Sequence, residues 1–218
     1  MLFRSSGDDN LIARGNGIYR EPAQYWSEVI YRSPKSDQFN YVFKLAAFTS
    51  GSAGFTRALK IEPSYYLSEK ITLTGKALYR NYADWLLWAR GIEQLASYEA
   101  DFYRLEFRLD WYPSTRQEVR LKFEWIGIEA DSRHALDLFP SGRVRRNDTS
   151  VSDFSLSDTA FQLRYRFELA PLSDIFLVYS RGGLLEDTRT DRGPGRLLEA
   201  GWDERVSESL VAKIRYRF

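Results

Sequence analysis

Apolar and charged residues alternate one by one along most of this chain. The odd positions of 103–111 are Tyr, Leu, Phe, Leu and Trp, and the even positions are Arg, Glu, Arg and Asp. The same alternation recurs in 119–125, 161–168 and 210–217. Because successive side chains of a β-strand point to opposite faces, each stretch predicts a strand with one apolar and one charged face.

Turn-forming residues separate these predicted strands. Pro113, Ser114 and Thr115 predict a tight turn, since proline pre-sets the backbone angle and a hydroxyl side chain can cap the turn. Other short connections are predicted at 33–38, 49–54, 67–70 and 170–174. Longer connections are predicted at 83–99, 131–158 and 185–207. A further strand is predicted over Leu11–Tyr19.

Short and long connections largely alternate, which is typical of up-and-down barrels of the bacterial outer membrane. The strand arms run about ten residues, the length of a tilted strand that crosses a bilayer. No stretch approaches the roughly 18–20 consecutive apolar residues of a spanning helix. We therefore expect an all-β fold, an antiparallel up-and-down transmembrane β-barrel of about ten strands with short periplasmic turns and longer extracellular loops.

One of the longer connections has two interpretations. Apolar residues fall at helical spacing over Asp84–Ala96, among them Trp85 and Trp88. This pattern predicts either a short helix at the membrane interface or, as the favoured interpretation, an aromatic girdle at the ends of two strands.

Composition narrows the class of protein. Charged residues make up 28% and aromatic residues 16% of the chain, which argues against disorder. The chain has no cysteine, and its net charge of +1 gives no indication of a nucleic-acid partner. Residues 1–9 lack the apolar core of a signal peptide. We expect residues 1–218 to form a single barrel domain, as a mature protein, as an expressed segment or as the C-terminal part of a longer protein.

The last three residues, Tyr216-Arg217-Phe218, resemble the closing strand of bacterial outer-membrane barrels. This resemblance implies that Tyr216 and Phe218 form a C-terminal insertion signal. It also implies location in the bacterial outer membrane, with outer-membrane lipid and the barrel-insertion machinery as partners.

A second resemblance covers about the last sixty residues. The stretch 164–182 has a strand, a turn with Pro171, a Ser-Asp pair and a Phe-Leu-Val-Tyr strand, and it resembles a hairpin of the DUF5916 family. Members of that family usually carry an N-terminal sandwich resembling a family 9 carbohydrate-binding module, followed by a C-terminal barrel. The resemblance implies the barrel region; a chain of 218 residues has no room for the sandwich as well, so no sugar-binding role is carried over.

Charged residues on the polar side of the clearest strands are the candidate site. In a barrel they face the lumen, where they form either a crosslinked plug, which is favoured, or a cationic wall that favours anions. These residues are Arg104, Glu106, Arg108, Asp110, Arg120, Lys122, Glu124, Arg164, Arg166, Glu168, Lys213, Arg215 and Arg217.

Residues for catalysis or metal binding are sparse. His134 is the one histidine, and neither Ser132 nor Asp137 is placed around it by the sequence. The loop carboxylates lack the spacing of a calcium loop, so solvated charge is favoured over a metal site. They are Asp131, Asp137, Asp153, Glu186, Asp187 and Asp191. We expect no cofactor and no metal.

The sequence thus predicts a non-enzymatic outer-membrane barrel that is structural or a passive pore. Two alternatives remain. One is a barrel enzyme acting on lipid or surface polymer through His134. The other is a soluble, lipocalin-like ligand-binding barrel, which requires an apolar interior and a polar exterior.

Overall fold

A large antiparallel β-sheet dominates the computed structural model, which describes residues 2–50, 54–89 and 94–217. In chain order its elements are β1 (Leu2–Arg4), β2 (Gly7–Asp9), β3 (Tyr19–Glu21), β4 (Gln24–Arg32), β5 (Phe39–Ser50), β6 (Gly54–Ser68), β7 (Ile71–Ala89), β8 (Gln94–Ser114), β9 (Gln117–Leu138), β10 (Val144–Asn147), β11 (Phe154–Ala170), β12 (Ser173–Asp187), α1 (Gly193–Asp203) and β13 (Arg205–Arg215).

The strand order follows the chain. The sheet runs β1-β4-β5-β6-β7-β8-β9-β11-β12-β13, with β10 paired to the end of β9 and a separate pair formed by β2 and β3. Every pairing is antiparallel. The predicted all-β, antiparallel, up-and-down arrangement is confirmed.

The sheet has two open edges within the described part of the chain. There β1 pairs with β4 alone, and β13 pairs with β12 alone. Each residue of β13 is exposed. The described residues therefore do not form the closed barrel that the sequence predicts.

Four short connections lie at one end of the sheet, which we name the turn end. They join β4 to β5, β6 to β7, β8 to β9 and β11 to β12, at the places the turn residues predict. We name the opposite end the loop end. The predicted connection at 49–54 lies there, and its residues 51–53 are outside the described residues.

The long connection predicted at 83–99 is wrong. Trp85 and Trp88 belong to β7, and Gln94 already pairs with Ala89, so a hairpin extends the sheet at the loop end. Neither a loop nor a helix occupies the described part of this stretch. A register shift between Tyr82 and Trp85 interrupts the alternation of apolar and polar residues there. The regular two-residue pattern that predicts a strand is therefore absent from this stretch.

The strand predicted over Leu11–Tyr19 is also wrong. Residues 10–16 form turns between β2 and β3, with Arg14 and Gly15 at positive φ. The Asp9 carboxylate accepts the backbone N–H groups of Leu11 and Ile12 at 2.8 and 3.2 Å. An aspartate that captures two amides in this way favours a turn over a strand.

The two other long connections contain unexpected elements. Within 131–158, β9 continues to Leu138 and β10 pairs back onto it. Within 185–207, the helix α1 begins at Gly193, with proline in its first turn. The Gly-Pro-Gly sequence that resembles a loop therefore starts a helix, where a missing proline N–H costs nothing.

Most buried apolar residues lie at the loop end. One cluster includes Tyr82, Tyr98 and Ala130, and a second includes Tyr19, Leu95 and Leu136. The middle of the sheet has no comparable buried layer among the described residues.

Candidate functional site

Twelve of the thirteen predicted lumen residues, all but Arg217, lie in β8, β9, β11 and β13. The strand register places them on one face, which we name the polar face. For example, Asp110 lies opposite Arg120, and Arg120 lies opposite Arg164. The other side, the apolar face, carries Tyr103, Leu105 and their cross-strand neighbours. The predicted separation of charged and apolar residues therefore holds across neighbouring strands.

Ion pairs cross the strands of the polar face. The Glu106 carboxylate is 2.9 Å from Nζ of Lys76 and 2.6 Å from Nε of Arg104. The Glu106 carboxylate thus links β7 to β8 and pairs with two cations. Glu106 lies directly opposite another acid, Glu124, and its contacts with Lys76 and Arg104 offset the repulsion between the two carboxylates.

A second cluster of ion pairs consists of Arg108, Asp110, Glu118 and Arg120. Asp110 is its most enclosed acid, with its side chain 15% exposed. Its oxygens lie 2.6 Å from Nε of Arg108 and 3.4 Å from Nε of Arg120. Arg120 also pairs with Glu118. The cluster ties β8 to β9 near the turn end.

Asp174 anchors the edge strand. Its side chain is 1% exposed, lies 2.8 Å from Nη2 of Arg166 and also pairs with Arg215. One buried carboxylate therefore links β11, β12 and β13. The sequence predicts Asp174 in the turn, because the apolar run begins at Ile175, two residues after the start of β12 at Ser173.

Replacing Asp174 is expected to loosen β13. Asp174→Asn removes the charge between Arg166 and Arg215 and leaves two cations facing each other. Backbone amides of β13 should then exchange hydrogen faster, as measured by mass spectrometry. Glu124→Gln is the control, because Glu124 lies on the polar face away from Asp174 and makes no ion pair among the described residues; equal effects of the two variants would contradict this role.

Several charged residues of the polar face were not predicted from the sequence, among them Glu28, Lys44, Glu118 and Asp174. Glu28 pairs with Lys44, and both lie in strands whose alternation is interrupted by aromatic residues. Conversely, several predicted residues have no ion pair in the described part of the chain. They include Lys122, Glu124, Arg164, Glu168 and Lys213. The ion-paired side chains of β8 remain partly exposed, so the face is wet.

The C-terminal residues lie at the turn end. The backbone N–H of Arg217 donates to Oγ of Ser173 at 3.1 Å, just beyond β13. Tyr216 is exposed. Phe218, the other residue of the predicted insertion signal, lies outside the described residues.

Helix α1 packs on the apolar face and is held at both ends. Glu129, on β9, accepts the backbone N–H groups of Arg192 and Gly193 at 2.8 and 3.1 Å. At the other end Arg181 donates to the carbonyl of Trp202 at 2.8 Å and lies 4.2 Å from its ring centroid. An anion at the helix N-terminus and a cation at its C-terminus both complement the helix dipole.

Removing the Glu129 charge is expected to weaken this cap. Glu129→Gln keeps an acceptor but loses the charge–dipole attraction, so the first α1 amides should exchange about two- to fivefold faster. Hydrogen exchange followed by mass spectrometry measures this. Glu124→Gln, on the polar face of the same strand, should leave α1 exchange unchanged. An identical effect of both variants would show that Glu129 has no specific part in the cap.

The structure does not bring Ser132 and His134 together. Ser132 lies opposite Tyr98 and His134 lies opposite Ser97, with a register shift between these two pairs. Because Ser97 and Tyr98 are successive residues of β8, the side chains of Ser132 and His134 are on opposite faces of the sheet. The Ser132 hydroxyl is 2.7 Å from a carboxylate oxygen of Asp153. The arrangement gives no nucleophile–base pair at His134.

The acidic residues of the predicted loops are engaged separately. Asp131 accepts the Thr190 hydroxyl, Asp137 accepts Asn147, and Asp187 pairs with Arg192. Among the described residues, no three groups of the His, Cys, Asp or Glu type converge in a way that could hold a metal ion. In the same part of the chain, no helix combines the length and the apolar character needed to cross a bilayer.

A cleft of about 820 Å³ opens at the loop end. Its walls are the tips of β7 and β8, the beginning of β11, the end of β12, the turn at 11–14 and the segment 150–153. Aromatic and aliphatic side chains line it together with several charged groups. No local sequence pattern predicts this cleft, since its walls come from segments distant along the chain.

Comparison of the chain with models of protein families, with curated proteins and with solved structures found no match. The resemblance to the DUF5916 family therefore stays a prediction.

Proposed function

We propose that this chain is an integral protein of the bacterial outer membrane, a non-enzymatic β-barrel whose apolar face contacts lipid. The polar face would line an aqueous interior, as a structural barrel or as a passive pore. The resemblance to DUF5916 barrels forms part of the same proposal.

The exposed apolar face is the observation that carries the proposal. Phe107, Leu163 and Leu177 lie on strands that are paired on both sides, yet they are 42%, 37% and 40% exposed. A soluble protein rarely leaves so continuous an apolar surface in water. Hydrocarbon is the solvent that such a face requires, and strands can cross it when their backbone groups are paired.

Aromatic residues border the apolar face along its strands. Tyr79 and Tyr103 stack across β7 and β8 with their ring centroids 5.4 Å apart, toward the loop end. Trp111 and Tyr65 lie toward the turn end and are exposed. From Tyr103 to Trp111 the strand covers about 27 Å before any tilt, close to the roughly 25 Å apolar band of membrane barrels.

Strand direction limits how the sheet can close. Eight successive antiparallel pairings separate β4 from β13, so these two strands run in the same direction. An antiparallel barrel therefore needs an odd number of strands between them. β1 occupies this place only beside Gln24–Trp26, which leaves residues 27–32 of β4 unpaired on that side within the described chain. We propose that the sheet is the wall of a barrel wider than its nine long strands alone could close.

A wider barrel also fits the partly exposed ion pairs of the polar face. In a narrow barrel these side chains fill the interior, whereas a wider one leaves them in contact with water. The residues without an ion pair include the cations Lys122, Arg164 and Lys213 and the acids Glu124 and Glu168. The excess of cations would favour anions in an open pore.

Membrane insertion is the test of this proposal. The unfolded chain is diluted into lipid vesicles and, as a control, into buffer without lipid or detergent. We expect it to float with the vesicles after an alkaline wash and to aggregate in the control. A chain that stays monomeric and folded in buffer would contradict the proposal and favour a soluble fold.

Electrophoresis of unboiled samples then tests closure. Complete barrels migrate differently before and after boiling. A shift would show that the 218 residues close by themselves, whereas flotation without a shift would agree with a wall that needs further strands.

A further inference from the structure

The cleft at the loop end has the lining of a ligand site. Leu87, Val151 and Phe154 provide aliphatic and aromatic surface, and Ser150 and Ser152 provide hydroxyl groups. Its volume of about 820 Å³ lies within the range of small-molecule sites, which are mostly apolar with a few polar groups.

Tyr98 lines this cleft and offers it a hydroxyl group. The residue is 4% exposed and packs edge-on against Phe154 with ring centroids 5.2 Å apart. Its hydroxyl has no hydrogen-bond partner among the described residues, and the residue lines the cleft. The oxygen is not one of the fully buried polar atoms without a partner in that part of the chain, so it is open to the cleft. Burial raises the pKa of Tyr98, and the nearby Asp153 charge adds to the effect. The hydroxyl is therefore available as a donor to a molecule in the cleft.

The charges around the cleft favour a cation. Asp153 uses one carboxylate oxygen for the backbone N–H and the hydroxyl of Ser132, both at 2.7 Å. Glu186 is exposed and makes no ion pair in the described part of the chain. Arg14, across the cleft, is the opposing cation. Asp187 is neutralised by Arg192, which also holds the pKa of that carboxyl below its usual range.

We infer that the loop-end cleft binds a small amphipathic organic cation, with its ammonium group between Asp153 and Glu186 and its apolar part against Leu87, Val151 and Phe154. The aromatic rings of Tyr98 and Phe154 supply negative π faces that attract such a cation. The site uses residues outside the apolar face, so it does not depend on whether that face contacts lipid.

Two exposed residues give a test with opposite signs. The full chain, refolded in a non-ionic detergent, is titrated with benzyltrimethylammonium, and binding is followed by NMR of the probe. Glu186→Gln should weaken binding about fivefold, because it removes a nearby opposite charge. Arg14→Gln removes a repelling charge and should strengthen binding by a similar factor. Both side chains are exposed, so neither change should disturb folding.

Matched probes and a remote variant complete the experiment. Glu124→Gln, on the polar face, should leave the affinity unchanged. Phenylacetate, an anion of similar size, should bind at least tenfold more weakly than the cation. Equal binding of the two probes, or the same affinity in Glu186→Gln and Arg14→Gln, would overturn the inference. Stronger binding of phenylacetate would show an anion site instead.

Discussion

Phe107→Arg is expected to lower the free energy of unfolding in lipid by about 2–4 kcal/mol, the cost of a cation near the bilayer midplane on a barrel strand. Phe107 lies midway between Tyr103 and Trp111 on the apolar face, and its side chain is 42% exposed. The substitution would place a guanidinium on the face that the proposal assigns to hydrocarbon. Denaturant titration of the vesicle-inserted protein measures the change.

Gln162→Arg is the matched control for this substitution. Gln162 is adjacent to Phe161, which lies opposite Phe123 and so at the level of Phe107, but its side chain is on the polar face. The arginine would there face water and other charged residues, and we expect a change below about 1 kcal/mol. If Phe107→Arg were as well tolerated as Gln162→Arg, lipid contact at this face would be excluded.

Gly201→Ala is expected to displace helix α1 from the sheet. An added Cβ at Gly201 would overlap the Ser157 hydroxyl and lie 2.5 Å from the Ser157 Cβ. Alanine favours a helix by roughly 0.5–1 kcal/mol over glycine, while overpacking typically costs about 1–3 kcal/mol. The clash therefore dominates, and we expect a net loss of stability together with faster hydrogen exchange throughout α1.

Gly195→Ala provides the control within the same helix. Nothing lies within 4 Å of a Cβ added at Gly195, so only the gain in helix preference remains. This variant should be neutral or more stable by up to about 1 kcal/mol. Destabilisation of equal size by both alanines would show that close packing on Ser157 is not what holds the helix.

The β8–β9 hairpin shows how far sequence reasoning reaches. Regular alternation on both arms and a turn at Thr115-Arg116 are local signals, and the pairing of Leu109 with Leu121 follows from them. The separation of charged and apolar side chains onto opposite faces can also be predicted, because the two-residue period of a strand does not depend on tertiary contacts. Most of the polar-face residues could therefore be listed before the structure was known.

Nonlocal features explain what sequence reasoning missed. Helix α1 is capped by Glu129 and Arg181, which lie on strands outside the helix. The sequence next to the helix therefore has no capping residue that would predict where it begins. The shift between Tyr82 and Trp85 moved the later residues of β7 out of phase with the alternation. The loop-end cleft depends on the turn at 11–14 meeting β7, a contact that no local pattern encodes.

The alternation of environments along β8 tests the central claim most directly. The chain has no cysteine, so single cysteines at positions 104–109 can each carry an environment-sensitive fluorophore. In vesicles, quenchers attached to lipid tails should quench the odd positions, and iodide should quench the even ones. Loss of this alternation, or lipid quenching at the even positions, would contradict a membrane wall with Leu105 and Phe107 facing lipid.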